Sequence, residues 1–330
     1  MFKQLYNEAT ITLRLEPDGP ILIKASESGA DPTRPDMEFV RTIYQGQETV
    51  YLPGSSLKGV LRAQCERLAR TVQSDAVTPE LSERRLSCDP LHTRFSCGHQ
   101  WEEEKRRRRR EIPTAEIYQR SCFVCRLFGN TSLASRLRLA DAYPDDLATV
   151  RTEERNGVAI DRVFGSVAVG PFNYETATAG VFVGRIQVRN FTIAQLGLMA
   201  LALRDLEMQR LGIGFAKSRG LGQVKASVQA LAFRYPACTL NGTLTLPGLG
   251  RPSSAPTILA GVGAFTPEDS YGLGDHDHAD LPDGLTLAPD DWDEPCLRLT
   301  GDTQAFQITS LWRACARAWR QTVEFLGSGT

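Results

Sequence analysis

Apolar and polar residues follow two different periods along the chain, and each period predicts one kind of element. Alternation puts Ile11, Leu13 and Leu15 on one face of residues 9–15, which predicts a strand with its other face in water. Further strands are predicted at residues 48–52, 181–188 and 224–228. Apolar residues at helical spacing predict helices at residues 56–72, 193–211 and 308–326. Strands that alternate with helices, separated by long inserted loops, predict an α+β sandwich of the ferredoxin-like or RNA-recognition type.

The turn from the second predicted strand into the first helix contains a possible anion site. Pro53 and Gly54 form the turn, and Ser55 or Ser56 is predicted to cap the first amides of the helix. Lys58 and Arg62 lie off the apolar stripe of that helix. A helix start with nearby cations can bind phosphate. Taken alone, the pattern favours an ordinary capped amphipathic helix over such a site.

Composition limits the class of protein. The chain has 330 residues, 42% of them hydrophobic, and a net charge of −1, which suits one large domain or two. That charge argues against a surface that coats nucleic acid throughout, but it allows a local basic groove. No stretch approaches the ~20 apolar residues of a membrane span, and the first residues lack the apolar core of a signal peptide. We therefore expect a cytoplasmic protein without a membrane partner, whose eight cysteines are free thiols or metal ligands.

Four of the cysteines have the spacing of a structural zinc site. Cys122 and Cys125 form a Cys-x-x-Cys pair, and Cys88 and Cys97 precede it by about 25 residues or more. His92 or His99 could replace one of these two ligands. A redox pair is the alternative, but it requires a thioredoxin-like context that the sequence does not show. Four protein ligands leave no open position for a substrate, so the predicted zinc is structural.

Two basic segments allow more than one interpretation. Residues 105–110, one lysine and five arginines, form either a solvated loop balanced by Glu102, Glu103 and Glu104 or an arm that grips nucleic acid. The glycine-rich residues 212–222 superficially resemble a phosphate loop, but they follow a helix and precede a strand, which is the reverse of the order required for ATP or NAD binding. The glycines do allow Lys217 and Arg219 to approach a polyanion closely.

Residues 240–295 are rich in proline, glycine and aspartate. Their acidity should repel RNA, so we expect a protein neighbour there. The Asp275-His276-Asp277-His278 sequence could bind a metal, although an exposed acidic loop is the favoured interpretation. The helix at residues 308–326 is predicted to pack on the core rather than on another subunit.

Four motifs carry a resemblance to a known family. They are Pro-Gly-Ser-Ser-Leu-Lys-Gly, Cys-Arg-Leu-Phe-Gly-Asn, Gly-Val-Ala-Ile-Asp-Arg-Val-Phe-Gly and Gly-Phe-Ala-Lys-Ser-Arg-Gly-Leu-Gly, in this order. Over residues 11–230 the chain resembles the RAMP (repeat-associated mysterious protein) superfamily, and within it the backbone subunits of type III CRISPR effector complexes of the Csm/Cmr type.

The resemblance implies a modified RNA-recognition palm with a thumb hairpin and, as in some relatives, a zinc-bearing finger. The core would then span residues 1–240, with the finger at 73–126 and the thumb at 156–180, followed by the extension at 241–330. Implied partners are CRISPR guide RNA, complementary target RNA, other RAMP-type subunits and the large subunit of the complex. The predicted RNA-binding residues are Ser55, Ser56, Lys58, Arg62, Arg162, Lys217, Ser218 and Arg219.

In active members of the family an aspartate before the Pro-Gly-Ser-Ser segment cleaves target RNA with Mg²⁺ or another divalent metal. Asp36 matches that position, with Asp31 as the second choice. Two departures weaken this match: the family's glycine pair after the first strand is replaced by Lys24-Ala25-Ser26, and the loop around Asp36 is richer in proline. The resemblance therefore predicts an RNA-guided endoribonuclease, with a catalytically inactive backbone subunit as the alternative.

Overall fold

The computed structural model describes residues 2–25, 35–73, 81, 85–248, 254–266, 271–274 and 277–327. The strands are β1 (Glu8–Pro17), β2 (Arg41–Tyr44), β3 (Gln47–Val50), β4 (Leu137–Leu139), β5 (Tyr143–Pro144), β6 (Arg151–Ile160), β7 (Val167–Ala179), β8 (Phe182–Arg189), β9 (Val224–Arg234), β10 (Thr239–Leu240), β11 (Leu244–Thr245), β12 (Ile258–Ala260), β13 (His278–Asp280), β14 (Ala288–Pro289) and β15 (Pro295–Thr300). The α-helices are α1 (Gly54–Val72), α2 (Cys97–Arg108), α3 (Thr114–Arg120), α4 (Phe123–Phe128), α5 (Ile193–Glu207) and α6 (Gly301–Gly327). Short 3-10 turns occur at Thr93–Phe95, Leu147–Thr149, Lys217–Arg219 and Val262–Phe265.

The main sheet is antiparallel and has the strand order β14-β15-β9-β1-β8-β4, with β5 also paired to β8. The central strand β1 alternates as its sequence predicts. Ile11, Leu13 and Leu15 are buried, while Thr12 and Arg14 between them are partly exposed. Helices cover the buried face of this sheet, so the predicted mixed α+β class is confirmed.

Helix α5 is buried on nearly all sides because it packs against α1, α6 and β9. Its start is fixed by a capping box, in which Thr192 and Gln195 satisfy each other's backbone amides. Gly197 allows a close crossing with α6, since a Cβ there would overlap the carbonyl of Cys315. The predicted end of the helix at Gly212 is wrong. The helix stops at Glu207, and Gln209 adopts a left-handed φ of 56°, which turns the chain back toward the core.

The C-terminal part of the chain belongs to the same packed unit as the main sheet. Strand β15 pairs with β9, and α6 packs on α5, where Gly197 lies against the backbone of Cys315. Trp319 of α6 is buried against Phe123 of α4. The division predicted at residue 240 therefore does not coincide with a break in the sheet. Of the helices described here, none has the length and apolar content that crossing a membrane would require.

Asp277 corrects the prediction of an exposed acidic loop. Its carboxylate accepts hydrogen bonds from the Ile193 amide at 2.7 Å and from the Gly263 amide at 2.9 Å. It thereby caps the start of α5 and ties residues 261–277 to the core, because a helix N-terminus attracts a carboxylate. Although the residue as a whole is partly exposed, its carboxyl group faces this backbone. Asp275 and His276 lie outside the described residues.

Burial raises the pKa of Asp277 to about 6, against the opposing effects of the Ile193 and Gly263 amides and of Arg136. Between the ordinary value of 3.8 and about 6, the folded protein keeps a proton that the unfolded chain has lost. The contribution of Asp277 to the free energy of unfolding therefore falls as pH rises through that window, by about 1 to 3 kcal/mol in total.

We expect Asp277→Asn to destabilise the protein, since an amide nitrogen would face one of the two donor amides, and to remove this pH dependence. Chemical denaturation of both proteins at several pH values from 4 to 7 measures the effect. The stability advantage of the native protein over the variant should shrink as pH rises. An advantage that stays constant with pH would contradict the assignment.

Candidate nucleic-acid interface and metal centre

An exposed hairpin is formed by β6 and β7, which pair as a separate two-stranded sheet. At its tip the Asp161 carboxylate accepts hydrogen bonds from the amides of Val163 at 2.7 Å and Phe164 at 2.8 Å. These bonds lower the pKa of Asp161, the Phe164 bond most. Val163 and Phe164 are each 83% exposed, so a constrained turn presents apolar side chains to solvent. The predicted RNA-binding residue Arg162 is exposed in the same turn.

The base of the hairpin holds the segment that contains Asp36. The Asn173 amide donates to Asp36 Oδ2 at 2.9 Å, and the Met37 amide donates to the Asn173 carbonyl at 3.1 Å. The Glu175 amide continues the pairing by donating to the Met37 carbonyl. Asp36 is exposed beside β7. Asp31, the second candidate, lies outside the described residues.

The glycine-rich loop of residues 212–222 lies next to the same region and lines a cleft with it. The Phe215 amide donates to the Leu22 carbonyl at 2.7 Å. Gly214 has a φ of +76°, and a Cβ there would overlap that carbonyl, so both its conformation and its close approach favour glycine. Lys217, Ser218 and Arg219 form an exposed 3-10 turn in this loop.

A cleft of about 200 Å³ lies where these segments meet. It is lined by Leu22, Met37, Gly157, Val158, Phe172, Tyr174, Phe215, Ala216, Arg219 and Leu221. The structure thus brings together the hairpin base, the segment that follows Asp36 and the cationic loop. Cleft walls of this kind, apolar with a cation at the rim, can accept an aromatic group attached to an anion.

The start of α1 differs from the prediction. Pro53 occupies the N-cap position without a side-chain cap, and the Gly54 amide donates to Asp141 Oδ1 at 2.7 Å. The predicted serine cap is therefore wrong: an aspartate from the loop after β4 takes that role. Ser55 is exposed and Ser56 is partly exposed in the first turn.

Lys58 and Arg62 make contacts within the protein. Lys58 Nζ donates to Ser135 Oγ at 2.9 Å, and burial, followed by the charge of Arg62, lowers the pKa of this amine. Arg62 donates to Glu66 and to the Gly129 carbonyl. These two predicted RNA ligands thus serve to fasten α1 to the segment around residues 129–137, and their role in RNA binding stays a prediction.

The cysteine cluster, formed by Cys88, Cys97, Cys122 and Cys125, has the geometry of a tetrahedral metal site. Its four sulfur atoms lie within 4.8 Å of one another, and all four residues are buried. Zinc–sulfur bonds of ~2.3 Å in a tetrahedron place sulfur atoms about 3.8 Å apart. The distance between the sulfurs of Cys88 and Cys125 is 3.6 Å. These residues therefore fit a zinc ion as the complete ligand set.

Backbone structure positions the cluster. Cys97 begins α2, and Cys122 caps α4 by accepting a hydrogen bond from the Cys125 amide at 3.4 Å. Cys88 lies in an extended segment that is held by hydrogen bonds from the amides of Phe123 and Val124 to the carbonyls of Arg85 and Leu86. The Cys-x-x-Cys turn and the upstream segment thus converge, as their spacing predicts.

Two arginines supply positive charge next to the sulfurs. Arg85 donates to the sulfur of Cys97 at 2.9 Å, and Arg62 donates to the sulfur of Cys125 at 3.5 Å. Burial opposes both guanidinium charges, yet the neighbouring sulfurs raise the pKa of each arginine, with Glu66 adding to the effect at Arg62. Four thiolates around Zn²⁺ would carry a net charge of −2, which these guanidiniums offset. Sequence reasoning missed Arg85 and assigned Arg62 to RNA alone.

The predicted substitute histidines are not part of the cluster. His99 Nε2 lies 3.2 Å from a Glu103 oxygen, and the His92 ring stacks on Phe95 with centroids 4.3 Å apart. With four sulfurs converging, the set has the arrangement of a metal site rather than that of an isolated redox pair.

The basic run at residues 105–110 is mostly helical rather than a loop, because α2 extends to Arg108. Arg107 and Arg108 both pair with Glu104 at 2.7 Å, and Arg108 also pairs with Glu116 at 2.8 Å. Neighbouring acids therefore neutralise part of this run. This favours the solvated, balanced interpretation over that of an electrostatic arm.

Comparison with protein families identifies one relationship. The family model of the RAMP superfamily (RAMPs) matches residues 15–225, which is more than half of the chain. Among curated proteins, none matches the chain. The matched range includes the Asp36 segment, the cysteine cluster, the exposed hairpin and the glycine-rich loop, and it ends at the start of β9.

We expect the purified protein to contain one zinc ion per chain, and Cys125→Ser to lose it, because three thiolates bind zinc much less tightly than four. Elemental analysis after dialysis measures the content, and thermal unfolding should show a lower midpoint for the variant. Cys296→Ser is the matched control, since Cys296 lies on β15 outside the cluster, and it should keep its zinc. Full zinc content in Cys125→Ser would contradict the ligand set.

Proposed function

The chain belongs to the RAMP superfamily, and from this premise we propose that it is a guide-RNA-binding backbone subunit of a type III CRISPR interference complex. Family membership itself supports a CRISPR-associated, RNA-binding role. In this proposal the main sheet and its helices are a ferredoxin-like palm, the exposed hairpin is the thumb, and the insertion at residues 73–126, with zinc held by its four cysteines, is the finger. The partners are guide RNA, complementary target RNA, other RAMP-type subunits and the large subunit.

The observation that carries the proposal is the convergence of three separate segments at the hairpin base. Three segments from distant parts of the sequence line one cleft: Met37, which directly follows Asp36, strand β7, and the Lys217–Arg219 turn through Arg219. A cationic loop, an exposed carboxylate and an apolar wedge at the hairpin tip are the groups needed to hold an RNA backbone, act on it and part its bases.

Asp36 is the proposed catalytic residue. An RNA nucleotide held out of its helical stack can align its own 2′-hydroxyl with the adjacent phosphate. The 2′-oxygen would attack the phosphorus and form a 2′,3′-cyclic phosphate as the P–O5′ bond breaks. Asp36 would orient the 2′-hydroxyl and accept its proton, and water would protonate the departing 5′-oxygen. A divalent metal at Asp36 would stabilise the charge that develops on the phosphate. Asp36 offers one ligand, and among the described residues the cysteine cluster is the only group of three or more candidate metal ligands. Such an ion would therefore take its other ligands from water and RNA, as Mg²⁺ commonly does.

A catalytically inactive backbone subunit is the second candidate function. It is favoured by the hydrogen bond from the Asn173 amide to Asp36, which gives this carboxylate a structural role in joining the loop to the hairpin. The two candidates share the same RNA-binding surface and differ only in whether Asp36 acts on the RNA.

We expect Asp36→Asn to abolish cleavage of a complementary target RNA by the assembled complex while leaving target binding unchanged. The amide keeps an oxygen to accept the Asn173 hydrogen bond but neither takes up a proton nor binds a metal well. Gel analysis of labelled target and a filter-binding assay on the same preparations measure the two properties. Asp291→Asn, which changes an exposed carboxylate of the C-terminal extension, is the control and should cleave normally. Equal cleavage by the Asp36 variant would remove Asp36 from the mechanism, and target binding without cleavage by the native complex would favour the inactive backbone subunit.

We expect the double variant Lys217→Ala and Arg219→Ala to weaken RNA binding and to reduce its salt dependence, because each lost phosphate contact lowers the slope by about 0.7 log units on single-stranded RNA. Affinity measured from low to moderate salt gives the slope. A double variant in which Arg109 and Arg110 become alanine removes the same charge from the end of the basic run and should change the slope less. A larger change of slope in the Arg109 and Arg110 variant than in the Lys217 and Arg219 variant would indicate that the RNA binds at the end of α2.

A further inference from the structure

A second cleft lies beside the cysteine cluster. It has a volume of about 230 Å³ and is lined by Arg70, Gln73, Arg85, Ser87, Cys88, Asp89 and Phe95. Cys88 is the member of the cluster that lines it, and this residue is 5% exposed, whereas Cys97, Cys122 and Cys125 are at most 1% exposed. A small solute in the cleft therefore approaches the cluster at Cys88.

The sulfur of Cys88 also differs from the other three in its hydrogen bonds. The sulfurs of Cys97, Cys122 and Cys125 each accept a hydrogen bond from a backbone amide or a guanidinium. No N–H group of the described residues donates to the sulfur of Cys88, which has the Cys125 sulfur 3.6 Å away. A hydrogen bond to a thiolate stabilises its charge and lowers its nucleophilicity. Cys88 is therefore the most nucleophilic of the four sulfurs.

We propose that Cys88 is a modification site at which a hydroperoxide opens the zinc centre, with Cys125 completing the reaction as a disulfide partner. The inference rests on the metal centre and is independent of the proposed function in RNA binding. Hydrogen peroxide is the simplest such reactant. It is only slightly larger than water, whose share of liquid volume is ~30 Å³, so the cleft admits it.

The reaction has two steps. The Cys88 sulfur first attacks one oxygen of hydrogen peroxide, and the O–O bond breaks. Cys88 becomes a sulfenic acid, and the departing hydroxide takes up a proton to become water. The Cys125 thiolate then attacks the Cys88 sulfur, so that the S–S bond forms as the S–O bond breaks and a second hydroxide leaves as water. Overall, two thiolates, one hydrogen peroxide and two protons give one disulfide and two waters.

Two cations at the cleft favour the first step. Arg70 donates to the Cys88 carbonyl at 3.0 Å, and Arg85 is buried beside it; both residues line the cleft. Guanidinium groups that face the reacting oxygens stabilise the hydroxide as it departs. The cleft thus brings together a nucleophilic sulfur, space for the oxidant and positive charge for the leaving group.

The disulfide removes two of the four thiolate ligands. The two sulfurs would approach from 3.6 Å to the ~2.05 Å of a disulfide, and zinc binding would weaken because two thiolates remain. Arg62 of α1 would lose the thiolate that it faces at Cys125. Peroxide is therefore expected to release the zinc and to loosen the contact between α1 and the cluster.

The test treats the zinc-loaded full chain with hydrogen peroxide while a chromogenic chelator records the metal that is released. We expect loss of one zinc per chain with peroxide and none without it. Mass spectrometry of unreduced peptides should find a disulfide between Cys88 and Cys125. In short reactions dimedone, which traps sulfenic acids, should label Cys88 before the other members of the cluster. Dithiothreitol followed by zinc should restore the native metal content.

Two histidine variants form a matched pair, because three cysteines and one histidine also make a zinc site. Cys88→His removes the sulfur at the cleft and should lose the peroxide-driven release over the time in which the native protein releases its zinc. Cys97→His keeps both reacting cysteines and should release zinc as the native protein does. Cys296→Ser, outside the cluster, should also behave as the native protein. Elemental analysis before oxidation shows whether each variant holds zinc.

Several results would overturn the site. They are dimedone adducts that appear first on another cysteine of the cluster, a disulfide that excludes Cys88, and equal resistance of the two histidine variants. Retention of zinc at a peroxide concentration that fully oxidises Cys296 would overturn it as well. If a histidine variant lacks zinc before oxidation, the labelling order and the disulfide in the native protein decide.

Discussion

The backbone of residues 20–22 holds the two halves of the candidate site together. Ile21 exchanges two hydrogen bonds of 2.9 Å with Ala177 at the base of the hairpin. On the neighbouring residues, the Leu22 carbonyl accepts from Phe215 and the Pro20 carbonyl accepts from Gly222. Ile21 and Leu22 are fully buried, so this short segment is anchored by the core. The hairpin and the glycine-rich loop are therefore both held by hydrogen bonds to one short backbone segment.

Several cationic side chains of the chain contact buried groups within the fold. Glu8 is buried between Arg189 and Arg234, and these two arginines lower its pKa although burial alone would raise it. Arg62 and Arg85 face the cysteine cluster. Many basic groups thus serve folding, while Arg162 at the hairpin tip and Lys217 and Arg219 in the glycine-rich loop are exposed. A net charge of −1 is compatible with such local basic surface.

Local sequence was sufficient to predict the elements that are defined by their own periodicity and the metal site that is defined by the spacing of its ligands. The alternation in residues 9–15 is a direct consequence of a strand with one buried face, so β1 could be predicted from it. The same holds for the start of α5 and for much of α6. The cysteine cluster was predictable because zinc ligands must come from tight turns of recognisable spacing, and four sulfurs do converge.

Tertiary structure decided which groups meet and which way side chains face. The sequence predicts a cap at Ser55 or Ser56, but the Gly54 amide at the start of α1 donates instead to Asp141, which lies on a loop distant in sequence. Asp277 belongs to an acidic stretch, yet long-range packing turns its carboxylate onto the start of α5. Local sequence determined the elements and the metal ligands, because those depend on neighbours along the chain. The cleft at the hairpin base depends on contacts between segments that are far apart in sequence, and only the folded chain brings these together.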